Sequence, residues 1–463
     1  MRTTSFKKII LIGGLAGILL SCSTQRHFQR ESVNTAGLYG DTTTTDSATI
    51  ANKPWRELFT ETNLQQLIQE GLNNNPDIQI AMQRVKEAEA YFSQSKAALM
   101  PGLSAKGTGT YIHNPESIYP DGPREVNNFQ LGGEASWEID IWGKLSSSKR
   151  SAYANLLASD AGRKAVETRL ISNIVTGYYS LVGLDTKLEI TRQTVKNNID
   201  LVETIKALKE SGRVTGAAVV QSEAARYAAE VTIPDLEQQI RETENALCVL
   251  LGRVPGTIQR GKIEEQTLSP ELQTGVPAQL LDNRPDVMQA EYQVMSAYEM
   301  TNSARAYFYP ALTLTASTGF AATDLSKLLD PKSFAANIVG GLTQPIFNKR
   351  INATRLKVAQ AQQEEALINL RNTLLNAGQE VNNALGLYDS SVQKIGLRKL
   401  QLDALLKSVD YTKELLTYGS ATYTEVLNAQ TSLLSAQLSS VNDKLQQLNA
   451  VVTLYRSLGG GWK

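Results

Sequence analysis

The chain has 463 residues with 46 basic and 46 acidic side chains, so nothing in its charge suits a nucleic acid or another polyanion as partner. Two cysteines and two histidines (His27 and His113) exclude a disulfide scaffold and a zinc cluster, and leave little for general-base chemistry. Aromatic content is low, and Ala, Leu, Gln, Asn and Ser dominate, which favours long helices.

At the N-terminus Lys7 and Lys8 precede an uncharged run from Ile9 to Leu20, too short to span a membrane and right for a signal peptide. The run ends in LLSC, which resembles a bacterial lipobox and makes Cys22 the lipidated first residue of the mature protein. An ordinary secretion signal beside a chance cysteine would read the same way. Residues 1–21 are therefore a lipoprotein signal peptide, and 22–62, rich in Thr, Ser, Asp and Asn, a lipidated tether. Cys248, in ENALCVLLGRVPG, reads as a small core residue.

The ordered elements follow. Apolar spacing predicts a helix over 63–98, ending before Pro101, and a strand over 103–112. A second strand is predicted over 127–141. There Phe129, Leu131, Gly133, Ala135, Trp137, Ile139 and Ile141 alternate with Gln130, Glu134, Ser136, Glu138 and Asp140, one greasy face against one wet face. Past Gly143 the period becomes that of a helix over 145–211, followed by a glycine-containing turn and a return helix over 217–251. A linker over 252–277 leads to the same order again: helix 278–308, strands 311–320 and 334–344, long helix 348–417, return helix 423–456.

The repetition holds residue by residue. Pro76, Asp77, Val85, Ala88, Pro101 and Leu103 are answered at one displacement by Pro285, Asp286, Val294, Ala297, Pro310 and Leu312. Ile141–Lys144 (IWGK) answers Ile346–Lys349 (IFNK), and Gly212, Thr215 and Val219 answer Gly419, Thr422 and Val426, at nearly that displacement. The chain is a duplication, with a first repeat over 63–251 and a second over 278–463. Each long helix would reach about 100 Å and each short one about half that, so two short helices can flank one long one. Leu374, Val381, Leu385, Tyr388, Val392 and Ile395 advance in heptad-like steps, a seam that wants partner helices.

Four two-faced strands of about ten residues have the length of membrane-barrel strands. Four cannot close a barrel, and open edges are not tolerated in lipid, so several chains would have to pool them. Two chains give eight strands and three give twelve, and strand physics alone does not choose. The same pattern also fits a small soluble sheet capping a helical bundle.

With these elements on the page, the segments LIQEGLNNNPDI, SWEIDIWGKL, ENALCVLLGRVPG, GVPAQLLDNRPDV, TQPIFNKRINATRLKVAQAQ and LYRSLGGGW together resemble the outer-membrane efflux factors, the TolC-like family. They lean toward its lipidated branch serving multidrug pumps. The resemblance covers almost the whole mature chain. It implies a mostly α fold with a small membrane β-barrel: a homotrimer whose twelve-stranded barrel in outer-membrane lipid continues into a long periplasmic α-helical barrel. It also implies a membrane-fusion adaptor and an inner-membrane RND-type pump as partners, and no cofactor beyond the lipid on Cys22. A type I protein secretion duct and a non-pore periplasmic spacer are the competing readings.

The site residues follow from repeat position and resemblance. The barrel hands over to the helices at Trp137, Asp140, Trp142 and Gly143 in the first repeat and at Pro345 in the second. The turns at Gly212 and Thr215, and at Gly419 and Thr422, are the expected tip, which the resemblance makes the adaptor contact; they also serve simply to turn the chain. Asp410 and Glu203 lie at repeat-equivalent positions before the tip glycines and are the first gate candidates, with Asp403 and Asp200 as neighbours. Three copies facing a narrow lumen would repel one another and favour cations. Solvated outer-face acids would look the same. No phosphate loop, zinc-helix motif or nucleophile elbow occurs, so catalysis is not expected.

Overall fold

The computed structural model describes residues 28–29, 50–117, 120–266 and 283–462. The signal peptide, Cys22, residues 22–27 and 30–49 of the tether, and 267–282 lie outside the described residues. The helices are α1 (Trp55–Leu58), α2 (Thr62–Asn74), α3 (Pro76–Ala97), α4 (Lys144–Glu210), α5 (Gly216–Glu230), α6 (Thr232–Leu250), α7 (Pro285–Ala306), α8 (Ile351–Tyr418) and α9 (Tyr423–Ser457). The strands are β1 (Gly102–His113), β2 (Glu125–Ile139), β3 (Ala311–Ala322) and β4 (Phe334–Thr343). The chain divides into two units, one holding 84–160 and 289–370, the other 33–83, 161–288 and 371–463.

The first unit carries the sheet, antiparallel in the order β1-β2-β3-β4. Its register lines up whole rows of like side chains. Leu103, Ala135, Ala316 and Ile338 form one row across all four strands, and Ser104, Glu134, Ser317 and Asn337 the next. Since successive side chains point to opposite faces, one face is apolar and the other polar. Gly132 and Gly319 face each other where β2 and β3 approach so closely that a Cβ on either would strike the opposite backbone. No strand residue is buried. Below the sheet, α4 is tied to α7 by Arg150 on Glu299 at 2.9 Å and by the hydroxyl pair Ser151 and Ser296 at 2.8 Å.

The second unit holds the packed core. Tyr178, Ile174 and Leu181 of α4, Leu64 and Ile68 of α2, Leu247 of α6, and Leu448 and Leu454 of α9 are all fully buried. Cys248 lies among them as a buried thiol. Two arginines pin loops to this core. Arg260 is held by Asp185 and by Glu244 at 2.6 Å. Arg284 meets Asp286 at 2.7 Å and Glu380 at 2.9 Å, and donates to the Ser457 carbonyl.

The helix expected over 278–308 is Pro285–Ala306, with 278–282 outside the described residues, and five other boundaries differ from the sequence expectation for a local reason. The first helix is broken at Asn75, because the residue before a proline is pushed out of helical geometry; Asn75 has ψ 128° and its Oδ1 accepts from the Asp77 N–H at 2.9 Å. The return helix over 217–251 is likewise two helices, parted at Val231 with Pro234 in the first turn of α6. Strand β2 stops at Ile139 instead of Ile141, because the Asp140 carboxylate turns to cap α4. Helix α8 starts at Ile351, after Lys349 and Arg350 adopt left-handed backbone at φ 53° and 67°. Finally, the part of the tether from Ile50 onward is packed: Ile50, Trp55, Leu58 and Phe59 are buried, Phe59 stacks edge-on against Tyr455, and the Tyr455 hydroxyl donates to the Lys53 carbonyl. Apolar residues scattered through a polar stretch were enough to fold it back.

Candidate functional site

Two places bring the sequence candidates together. At the junction, Trp137 Nε1 donates to the Leu99 carbonyl at 2.9 Å and Trp142 Nε1 to the Pro310 carbonyl at 2.7 Å, so each indole fastens a strand end to the segment entering its neighbour. The Trp142 ring stacks on Tyr309 with centroids 4.9 Å apart. Asp140 accepts from the N–H groups of Leu145 (2.9 Å) and Ser146 (2.7 Å), placing a carboxylate on the positive end of α4. Gly143 has φ 73°, which lets the chain leave the strand direction without a Cβ clash. Pro345 is exposed in the matching loop of the second repeat and lines a cavity of about 210 Å³ with Trp142 and Tyr309.

Sequence reasoning missed the centre of this junction. Tyr307 has two cations against its ring, with Lys144 Nζ 4.9 Å and the Arg355 guanidinium 3.8 Å from its centre. Asn352 donates to the Tyr307 carbonyl at 2.7 Å, and Lys144 also pairs with Glu138. Tyrosine and tryptophan at strand ends were the available signal, since both collect where a membrane meets water.

At the other place, each repeat turns on a left-handed glycine, Gly212 at φ 71° and Gly419 at φ 75°. Both have open space where a Cβ would stand, so the backbone angle alone calls for glycine. The restarts differ. Thr422 forms a full capping box, its hydroxyl taking the Glu425 N–H and the Glu425 carboxylate taking its own. Thr215 begins α5 with no side-chain bond. The two turns are tied to each other by contacts the sequence did not suggest: Arg213 Nη1 donates to the Thr417 carbonyl at 3.2 Å, and the Tyr423 hydroxyl to Gln221 Oε1 at 2.6 Å. Beneath them Leu201, Ile205, Val219, Leu416 and Val426 share a small core.

The acids Asp200, Glu203, Asp403 and Asp410 are all exposed on α4 and α8. Glu203 pairs with Lys206 at 3.2 Å, and Lys206 also reaches Glu223; Glu203 first, then Glu223, hold the Lys206 ammonium above its ordinary pKa. Asp200, Asp403 and Asp410 have no side-chain partner among the described residues. Asp403 and Asp410 stand one heptad apart and share a stripe of α8. Among the described residues, no cluster of His, Cys, Asp or Glu could hold a metal ion. No described helix is long and apolar enough to cross a membrane.

A sheet with an apolar face, a polar face and two edge strands, joined through aromatic girdle residues to long paired helices, defines a barrel-forming membrane channel subunit. The family described as outer membrane efflux protein matches the chain twice, over 67–253 and 276–460, and the chain belongs to it. It is thus an outer-membrane efflux channel of duplicated, mostly helical fold. It is 33% identical over 417 residues to SilC of Salmonella typhimurium, a probable outer membrane lipoprotein, with 88% of each chain covered. It is 30% identical over 416 residues to the cation efflux system protein CusC of Escherichia coli K12, with 89% of each covered. A crystal structure of CusC superposes with a TM-score of 0.85 at 28% identity, covering 95% of this chain and 100% of that one.

Proposed function

We propose that three copies of this chain pool their sheets into a twelve-stranded barrel, and that the assembly is the exit duct of a tripartite pump. The observation that carries this reading is the pair of alternating rows across the sheet, Leu103 to Ile338 against Ser104 to Asn337, in strands that bury nothing within one chain. Such a sheet needs lipid on one side, water on the other, and strands from other copies at β1 and β4. The bare Leu397, Leu400 and Tyr418 of α8 are further apolar surface that an assembly would cover.

In this reading a lipid on Cys22 anchors the N-terminus to the outer membrane, in keeping with the lipoprotein relative. The tied turns at Gly212 and Gly419 meet a membrane-fusion adaptor, behind which stands an RND-type inner-membrane pump. Asp410 and Glu203 face the lumen above the tip, with Asp403 and Asp200 as neighbours, and ring the resting constriction, where three copies repel one another and favour cations. Selection of cargo belongs to the pump, and drugs or other small molecules are the expected cargo. Six methionines spread along the chain argue no metal path of its own, although the CusC relative is named for cation efflux. Asp410→Ala is expected to raise single-channel conductance; an unchanged conductance would remove Asp410 from the gate.

The test of the whole assignment is affinity purification of the tagged chain from crosslinked native membranes, followed by mass spectrometry. Recovery of an adaptor with a proton-driven pump supports it. Recovery of a secretion ATPase moves the cargo to proteins, and recovery of neither contradicts the duct.

A further inference from the structure

The loop Pro345–Arg350 carries features that duct formation does not require. Ile346 and Phe347 stand almost wholly clear of the chain. Past Asn348, Lys349 and Arg350 take left-handed backbone, a conformation disfavoured for any residue with a Cβ and kept only where something repays it. No Asp or Glu occurs between Asp330 and Glu364, whereas Lys349, Arg350, Arg355 and Lys357 all do. Lys349, Arg350 and Lys357 are exposed and have no partner among the described residues, and Arg355 bonds only Asn352 and the Tyr307 ring. The nearby acids are already engaged, Glu138 with Lys144 and Asp140 with the start of α4. The Trp142 and Tyr309 stack borders the same cavity as Pro345.

We propose that this loop is a recognition surface for anionic phospholipid in the leaflet that faces the periplasm. Ile346 and Phe347 enter the acyl boundary, and Lys349 and Arg350, backed by Arg355 and Lys357, take the lipid phosphates. Charge complementarity selects the occupant, because four cations without a carboxylate beside two bare apolar side chains match a headgroup attached to a tail, and a free anion would leave Ile346 and Phe347 in water. The strained pair fixes two cations at the depth of the headgroups. The inference rests on the reading that the sheet spans the membrane.

The test uses the full-length protein in vesicles of equal parts phosphatidylethanolamine and phosphatidylglycerol, with one or the other lipid brominated. Bromine quenches tryptophan fluorescence, and Trp142 sits beside the loop. The wild-type chain should be quenched in preference by brominated phosphatidylglycerol, with high salt eroding the preference. Removing each cation should lower that preference roughly fivefold, so Lys349→Gln/Arg350→Gln falls well below wild type while Lys349→Arg keeps it. Lys349→Gly/Arg350→Gly is the discriminating variant, since glycine accepts the left-handed backbone and the fold is expected to survive, checked by its Tm, yet it should lose the preference equally. Equal quenching by both lipids would overturn the proposal. So would displacement by inorganic phosphate, or crosslinking of Phe347 to a second copy that hides the loop. A chain left outside the vesicles would sink the membrane reading itself, a different result from an inserted chain without lipid preference.

Discussion

The two units of the chain solve opposite problems. In the helical unit Tyr178, Leu181, Leu247 and Leu454 are sealed from solvent, and Arg260 and Arg284 are each clasped by two carboxylates. In the sheet unit not one strand residue is buried, although Leu103, Trp137, Leu314 and Ile338 are as apolar as anything in the core. The helical unit draws its stability from side chains packed on side chains. The sheet unit presents apolar rows that nothing within the chain covers, so in the proposed assembly its stability is drawn from lipid and from other copies.

That contrast can be broken by paired substitutions. The largest effect is expected in the helical core, where Leu181→Ala should cost about 2–5 kcal/mol in any medium, read as a fall in Tm in detergent. The same change at Leu103, which is 85% exposed, should cost under about 1 kcal/mol there. Next comes Ile338→Arg on the apolar face of β4. It should cost about 2–4 kcal/mol when folding into lipid vesicles and little in aqueous detergent, while Asn337→Arg on the opposite face should be tolerated in both. If Asn337→Arg proved the damaging one, the faces would be assigned the wrong way round.

The smallest effects should separate the two repeats at their turns. Thr422→Ala removes a complete capping box and should cost about 1 kcal/mol of local stability, whereas Thr215→Ala removes no side-chain bond and should cost a few tenths. Hydrogen exchange at the N–H groups of Glu425 and Ala218, the equivalent positions after the two caps, would read the difference. Equal protection losses would mean that the turns are held by the Arg213 and Tyr423 ties and owe little to their caps.

Much of this was legible in the residues. Alternation placed β4 within a residue of its observed ends, the matched prolines and glycines exposed the duplication, and the long helices came out nearly whole. The two misplaced helix breaks were legible as well, since Pro76 and Pro234 forbid the geometry that apolar spacing alone would continue. Other features had no local signal. Arg213 meeting Thr417, and Arg355 covering Tyr307, join residues far apart in the chain, and only the folded turns bring them together. Exposure of Asp410 is visible, but in the proposed assembly its surroundings are set by other copies, which no periodicity within one chain encodes.

The central claim is that the exposed sheet becomes the wall of a water-filled pore. The most direct measurement is current through a planar lipid bilayer carrying the purified full-length protein, with Asp410→Ala beside the wild type. Discrete conductance steps, larger in the variant, are the result expected here. A bilayer that stays silent while the folded protein is demonstrably inserted in it would contradict the account.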